Sequence, residues 1–110
     1  MKGTHIGELE ELVLLTVGIL YQEAYGVAIR EERKNQTSRD VNISAIHAVL
    51  KRLEDKGLLG SHMGGATQER GGRRKRMFTL TDAGKRVLTD SIEQRNRMFQ
   101  TIPDFAWKIA

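Results

Sequence analysis

Five cationic side chains stand within seven positions of the chain: Arg70, Arg73, Arg74, Lys75 and Arg76, with Gly71 and Gly72 among them. Guanidinium and ammonium groups crowded in this way repel one another until anions come between them. The chemistry they suit is the neutralisation of a row of phosphates, or insertion into a narrow minor groove. Glycine lets such a segment follow whatever contour the partner presents. The competing reading of a charge run is a solvated loop. A second set of candidate contacts lies on residues 43–56. There Ser44, Ala45, His47 and Ala48 are small or polar, and Lys51 and Arg52 follow one turn later. A helix enters a major groove only if its outward face carries little bulk near its N-terminus. Ser44 and His47 can hydrogen-bond base edges or phosphates, and Lys51 and Arg52 can reach phosphates. Arg52 has a second option: pairing with Glu54, Asp55 or an acidic residue of the first helix, which would hold the fold rather than a ligand.

Other chemistries lack their residues. There is no cysteine, hence no disulfide, thiolate metal site or thiol nucleophile. His5, His47 and His62 belong to three different elements, and no metalloprotease or phosphate-loop motif occurs. The glycine-rich segment precedes a strand rather than a helix, so it lacks the helix terminus of a nucleotide site. The carboxylate pairs Glu10-Glu11 and Glu31-Glu32 read as solvated helix faces. The expectation is no enzyme, no cofactor and no metal.

The elements that must position the basic groups follow from periodicity. Leu9, Leu12, Val13, Leu15, Ile19 and Leu20 form an apolar stripe, with Glu8, Glu10 and Glu11 in the first turn, which predicts a first helix over about 8–21. Tyr25-Gly26 interrupts the chain before a second helix at about 25–35, and Asn35 to Asp40 is turn chemistry. Asn42 suits the N-cap of a third helix. Its Ile43, Ile46, Leu50 and Leu53 recur at steps of three, four and three, leaving Ser44, His47, Ala48, Lys51 and Asp55 on the opposite face. Gly57 stops it. Residues 58–63 and 76–80 read as two strands of a hairpin whose basic tip is residues 64–76; Gly60-Ser61-His62-Met63 continues the strand pattern. Thr81 caps a last helix over about 82–101, ended by Pro103, with Leu88, Ile92, Phe99 and Ile102 on one face.

In order, three helices, a hairpin and a long helix describe a winged helix-turn-helix: mainly α, with a two-stranded β wing. Residues 1–81 form the nucleic-acid-binding domain and residues 82–110 a C-terminal dimerisation helix and tail, as one structural unit. A helix about 30 Å long with an apolar face cannot bury all of it on so small a body, which points to a homodimer through Leu88, Ile92, Phe99 and Ile102. With 110 residues and a net charge of +4, the chain fits one domain with a polyanionic partner. No apolar run approaches the roughly 20 residues of a membrane span, and the start has no signal-peptide core, so a cytoplasmic location is expected. An assembly module whose basic wing meets an acidic protein is the alternative. An interaction surface would instead show large apolar residues at positions such as Ser44, His47 and Ala48. RNA binding through the Arg-Gly loop is weaker still, because the loop is short and held between strands.

These residues resemble the PadR family of transcriptional regulators, in the small subgroup with a single C-terminal helix. The likeness covers about Gly7 to Leu88. It rests on "ELEELVLLTVGILYQEAYGVAIREE", on "LKRLEDKGLL" at Leu50 to Leu59, and on "ERGGRRKRMFTLTDAG". Where the family often has Leu-Tyr-Pro in its recognition helix, this chain has Ile46-His47-Ala48, so no operator sequence carries over. The resemblance implies a homodimeric repressor, joined through the last helix and the first with Leu9 and Leu12 in the interface, on an inverted-repeat operator in double-stranded DNA. Some relatives bind aromatic ligands at the dimer interface. By that resemblance Met98, Phe99, Phe105 and Trp107 are candidates to line a site for a small aromatic effector, or else simply pack the dimer.

Overall fold

The computed structural model describes residues 5–64 and 74–107. The order is α1 (Glu8–Leu20), α2 (Gly26–Thr37), α3 (Ile43–Asp55), β1 (Leu59–Met63), β2 (Arg76–Leu80) and α4 (Asp82–Thr101), with short 3-10 turns at Tyr21–Glu23 and Asp104–Trp107. β1 and β2 pair antiparallel from Leu59 opposite Leu80 to Met63 opposite Arg76. This is the expected mainly helical winged fold, and its boundaries differ from the sequence reading by a residue or two. The largest shift is in α2, which runs on to Thr37 and ends at Ser38 in the left-handed region, φ 60°.

The caps are those the sequence prescribes. The Asn42 side chain accepts from the Ala45 N–H at 2.8 Å, and the Thr81 hydroxyl accepts from the Gly84 N–H at 3.0 Å. The Thr81 hydroxyl also donates to the Gly57 carbonyl at 2.7 Å, fastening the start of α4 to the end of α3. Gly57 takes φ +79°, the conformation that lets α3 turn directly into β1. Between α2 and α3, Arg30 forks onto Asp40 with two bonds of 2.9 Å. The Arg30 hydrogen bond holds the Asp40 carboxyl below the usual carboxylate range, so the turn is clamped by a bidentate charge pair.

The core gathers Val13, Leu14 and Val17 of α1, Ile29 of α2, Ile46, Val49, Leu50 and Leu53 of α3, Leu58 and Leu59, and Phe78 of β2. All of the expected inner face of α3 is there except Ile43, which is half-buried at its edge. Of the expected stripe of α1, Val13 alone joins the buried core; Leu14 and Val17, which that stripe left out, are the other two. Val13, Leu14 and Val17 face inward, whereas Leu12 and Leu15 are half-buried and Ile19 is exposed, forming a second stripe at steps of three and four that turns away from the core.

Glu10 and Glu11 overturn their reading as a solvated face: both are buried. Glu10 accepts from the Gly7 N–H at 2.9 Å, capping α1 from within. It also pairs with Lys56 at 2.9 Å and Arg52 at 3.1 Å, at the far end of α3. Glu11 pairs with Arg95 of α4 at 3.0 Å and accepts from the Ser91 hydroxyl at 3.3 Å. Burial alone raises the Glu10 carboxyl, but the Gly7 N–H and the Lys56 and Arg52 cations outweigh it and leave the group below its ordinary value. Hydrophobic periodicity has no means of showing this, because the partners come from more than 40 residues away.

α4 begins against the body and leaves it. Gly84 is buried where a side chain would collide with the Leu58 carbonyl. Ala83, Val87 and Leu88 pack on the core edge, and from Glu93 to Thr101 the helix is exposed. Its projection stretches the molecule to 61 Å in its long dimension. Among the described residues, no helix is long and apolar enough to cross a membrane.

Candidate nucleic-acid interface

α3 presents Ser44, His47, Ala48 and Lys51 outward, all exposed, with Ala45 half-buried beside them. Lys51 lies 3.6 Å from Asp55 one turn on, and both are largely exposed, a geometry that costs little to exchange for a phosphate. His47 is set by a neighbour in another helix. Its imidazole lies over Gly26 at the start of α2, so closely that a Cβ there would stand 2.7 Å from the ring. Gly26 therefore acts as the seat of His47.

The wing root meets the same place. The Lys75 ammonium sits 4.0 Å from the centre of the Tyr25 ring, a cation–π distance. The Phe78 N–H donates to the Ala24 carbonyl at 2.8 Å, tying β2 to the segment ahead of α2. Tyr25, Gly26, Val27, His47, Arg74, Lys75, Arg76 and Phe78 together line a groove of about 450 Å³. Outward residues of α3 and cations of the wing, 27 or more positions apart in the chain, thus open onto one cleft. The sequence reading had marked Tyr25-Gly26 as a break and as a family pair without a place in the interface. The brief Tyr-Gly signal was visible, but its position under His47 is a tertiary fact.

Two expected contacts have other occupations. Arg52 is committed to Glu10, the alternative left open for it, although its side chain remains about half exposed. Arg76 donates to the Ser61 hydroxyl at 2.9 Å, and that hydroxyl donates to the Glu54 carboxylate at 2.6 Å. This chain braces the wing against α3. Arg74 is exposed at the mouth of the groove. Arg70 and Arg73 lie outside the described residues.

At the other end of the molecule, Met98, Phe99, Ile102, Phe105 and Trp107 are exposed. Phe99 and Trp107 stack at 5.4 Å between ring centres, tilted by 50°, so the tail folds back on α4. Ile92 is half-buried, while Leu9 and Leu88 already spend part of their surface on the core.

A basic hairpin wing packed beside the outer face of the third helix defines the class, a winged helix-turn-helix protein. Comparison with known proteins supplies the family. Residues 14–90 match the sequence profile of the transcriptional regulator PadR-like family, and the chain belongs to that family, one of transcription regulators and not of enzymes. An uncharacterized protein of Lysinibacillus sphaericus is 30% identical over 90 residues, spanning 80% of this chain and 78% of its own. The fold is similar to a PadR-like transcriptional regulator of Bacillus cereus, with TM-score 0.74 at 17% identity over 92% of this chain and 93% of that one. It is also similar to Bacillus subtilis PadR in complex with operator DNA, with TM-score 0.61 at 28% identity over 77% of this chain and 46% of that one.

Proposed function

We propose that the protein is a cytoplasmic homodimeric repressor that binds an inverted-repeat operator in double-stranded DNA. The observation that carries this reading is the shared cleft, where His47 of α3 and Arg74, Lys75 and Arg76 of the wing face one volume. α3 enters the major groove with Ser44, Ala45, His47, Ala48 and Lys51 toward the bases. The wing, with Arg70 and Arg73 at its tip, follows the adjacent backbone. The operator DNA held by the similar Bacillus subtilis PadR supports DNA as the partner. α4 and the tail, residues 82–110, form the dimer element. Exposed Phe99 and Ile102, with Leu12 and Ile92 behind them, supply the apolar face, and Met98, Phe105 and Trp107 pack the dimer rather than an effector. A two-fold axis then sets the two copies of α3 about one duplex turn, 34 Å, apart.

Titration against the DNA upstream of its own gene and against random duplex, at several salt concentrations, tests the reading. Tighter binding to the upstream DNA is expected. Changing Arg73→Ala together with Arg74→Ala should weaken every duplex and flatten the log–log salt slope by about 2. Equal affinity and equal slope on all duplexes would remove specific recognition from the reading.

A further inference from the structure

The two buried carboxylates of α1 divide their partners between the two elements a dimeric DNA reader must align. Glu10 grips the end of α3 through Arg52 and Lys56, and Glu11 grips α4 through Arg95 and Ser91. Because they are adjacent in one helix, they link the recognition helix to the projecting helix a second time, beside the direct Thr81–Gly57 hydrogen bond. The attachment of α4 explains why this matters. Its one buried residue is Gly84, pressed on the Leu58 carbonyl. That contact, the Thr81–Gly57 hydrogen bond and the packing of Ala83, Val87 and Leu88 all lie at the start of the helix, within its first two turns. Apolar contact with the body fades by Ile92. Ser91 and Arg95 lie 7 and 11 residues beyond Gly84, about 10 and 16 Å along the axis. Among the described residues, the Glu11–Arg95 pair is therefore the outermost polar tie of α4 to the body.

We propose that Glu11 is a positioning residue that sets the angle of α4 to α3, and through it the half-site spacing the dimer accepts. The spacing consequence rests on the dimeric DNA-binding reading above; the angle does not. Glu11 is 7% exposed while Arg95 is 61% exposed. The carboxylate is thus the fixed member and the arginine a stay that reaches down to it. Removing the stay leaves the core packing of α1, which runs through Val13, Leu14 and Val17, untouched.

Two measurements separate the angle from the spacing. The chain has no cysteine, so Asp55→Cys on α3 and Gln100→Cys on α4 give a unique pair of spin-label sites. Labelled subunits diluted into unlabelled protein report the distance within one subunit, without DNA. In Glu11→Gln, and in Arg95→Ala on the exposed side of the pair, that distribution should shift or broaden by about 3.4 Å, the rise of one base-pair step. A distribution unchanged in Arg95→Ala, with the far-ultraviolet spectrum intact, overturns the proposal. Selection from duplexes with randomised half-site spacing should then show the preferred spacing moved or widened by at least one base pair. Affinity for an isolated half-site should stay within about twofold, as expected for sites that share no contact. A shifted distance in the variants, with a parent protein that selects no inverted repeat, would leave the angle standing and instead sink the DNA-binding reading. A shifted distance with an unmoved spacing preference would overturn the link from angle to operator.

Discussion

His47 stands on Gly26, and that contact decides what the imidazole can do. A side chain at position 26 would meet the ring, with a Cβ 2.7 Å away, so the glycine leaves the imidazole room to lie against the start of α2. An exposed donor and acceptor on the outer face of α3 suits the reading of a base edge. His47→Ala should therefore cost about tenfold on the selected operator, while binding to random duplex stays within about twofold. Competition binding with both duplexes at one salt concentration checks this. Equal losses on the two would assign His47 to the backbone rather than the bases.

Between elements, ion pairs do the joining where apolar surface runs out. α1 and α3 are fastened at their solvent end by Glu10, whose carboxylate is buried while its partners Arg52 and Lys56 are about half and one-third exposed. Removing the charge with Glu10→Gln should cost about 1–2 kcal/mol, between an exposed pair and a buried one. The sign of the pH dependence follows from the depressed carboxyl. Its contribution is complete above the unfolded value of about 4.3, and it is lost as pH falls through the lower folded value. Denaturant unfolding of parent and Glu10→Gln should show the full difference at pH 7 and a smaller one under acid conditions. A difference independent of pH would mean that the ionised carboxylate is not its source. The Arg76–Ser61–Glu54 chain does for the wing what Glu10 does for α3: it braces an element too small to hold itself by packing.

The whole molecule is a compact body with an exposed lever. Nine consecutive residues of α4, from Glu93 to Thr101, are exposed, yet Phe99 and Ile102 are large and apolar. In the proposed dimer they meet their symmetry mates. Phe99→Asp with Ile102→Asp should raise the dimer dissociation constant by at least about tenfold, since buried apolar anchors carry most of an interface. Sedimentation across a concentration series measures this, and an unchanged association constant would move the dimer contact elsewhere. Loss of the dimer should also weaken the two-site operator far more than a single half-site.

Local chemistry was legible in the chain: the Asn42 and Thr81 caps, the Gly57 stop, the inner face of α3 and the bounds of α4 all follow from side chains acting on their own neighbours. Such interactions span a few residues, so the order of residues determines them. The outer face of α3 and the basic run were readable for the same reason. What only the tertiary structure decided are the contacts that cross the chain. Glu10 and Glu11 look like any acidic first turn until α3 and α4 bring Arg52, Lys56 and Arg95 to them. Gly26 looks like a break until His47 settles on it. Lys75 looks like one cation of five until it lies over Tyr25. The physical reason is that a charge or a ring has no preferred partner in one dimension. Its role is set by whichever groups the packed core carries within a few ångströms of it.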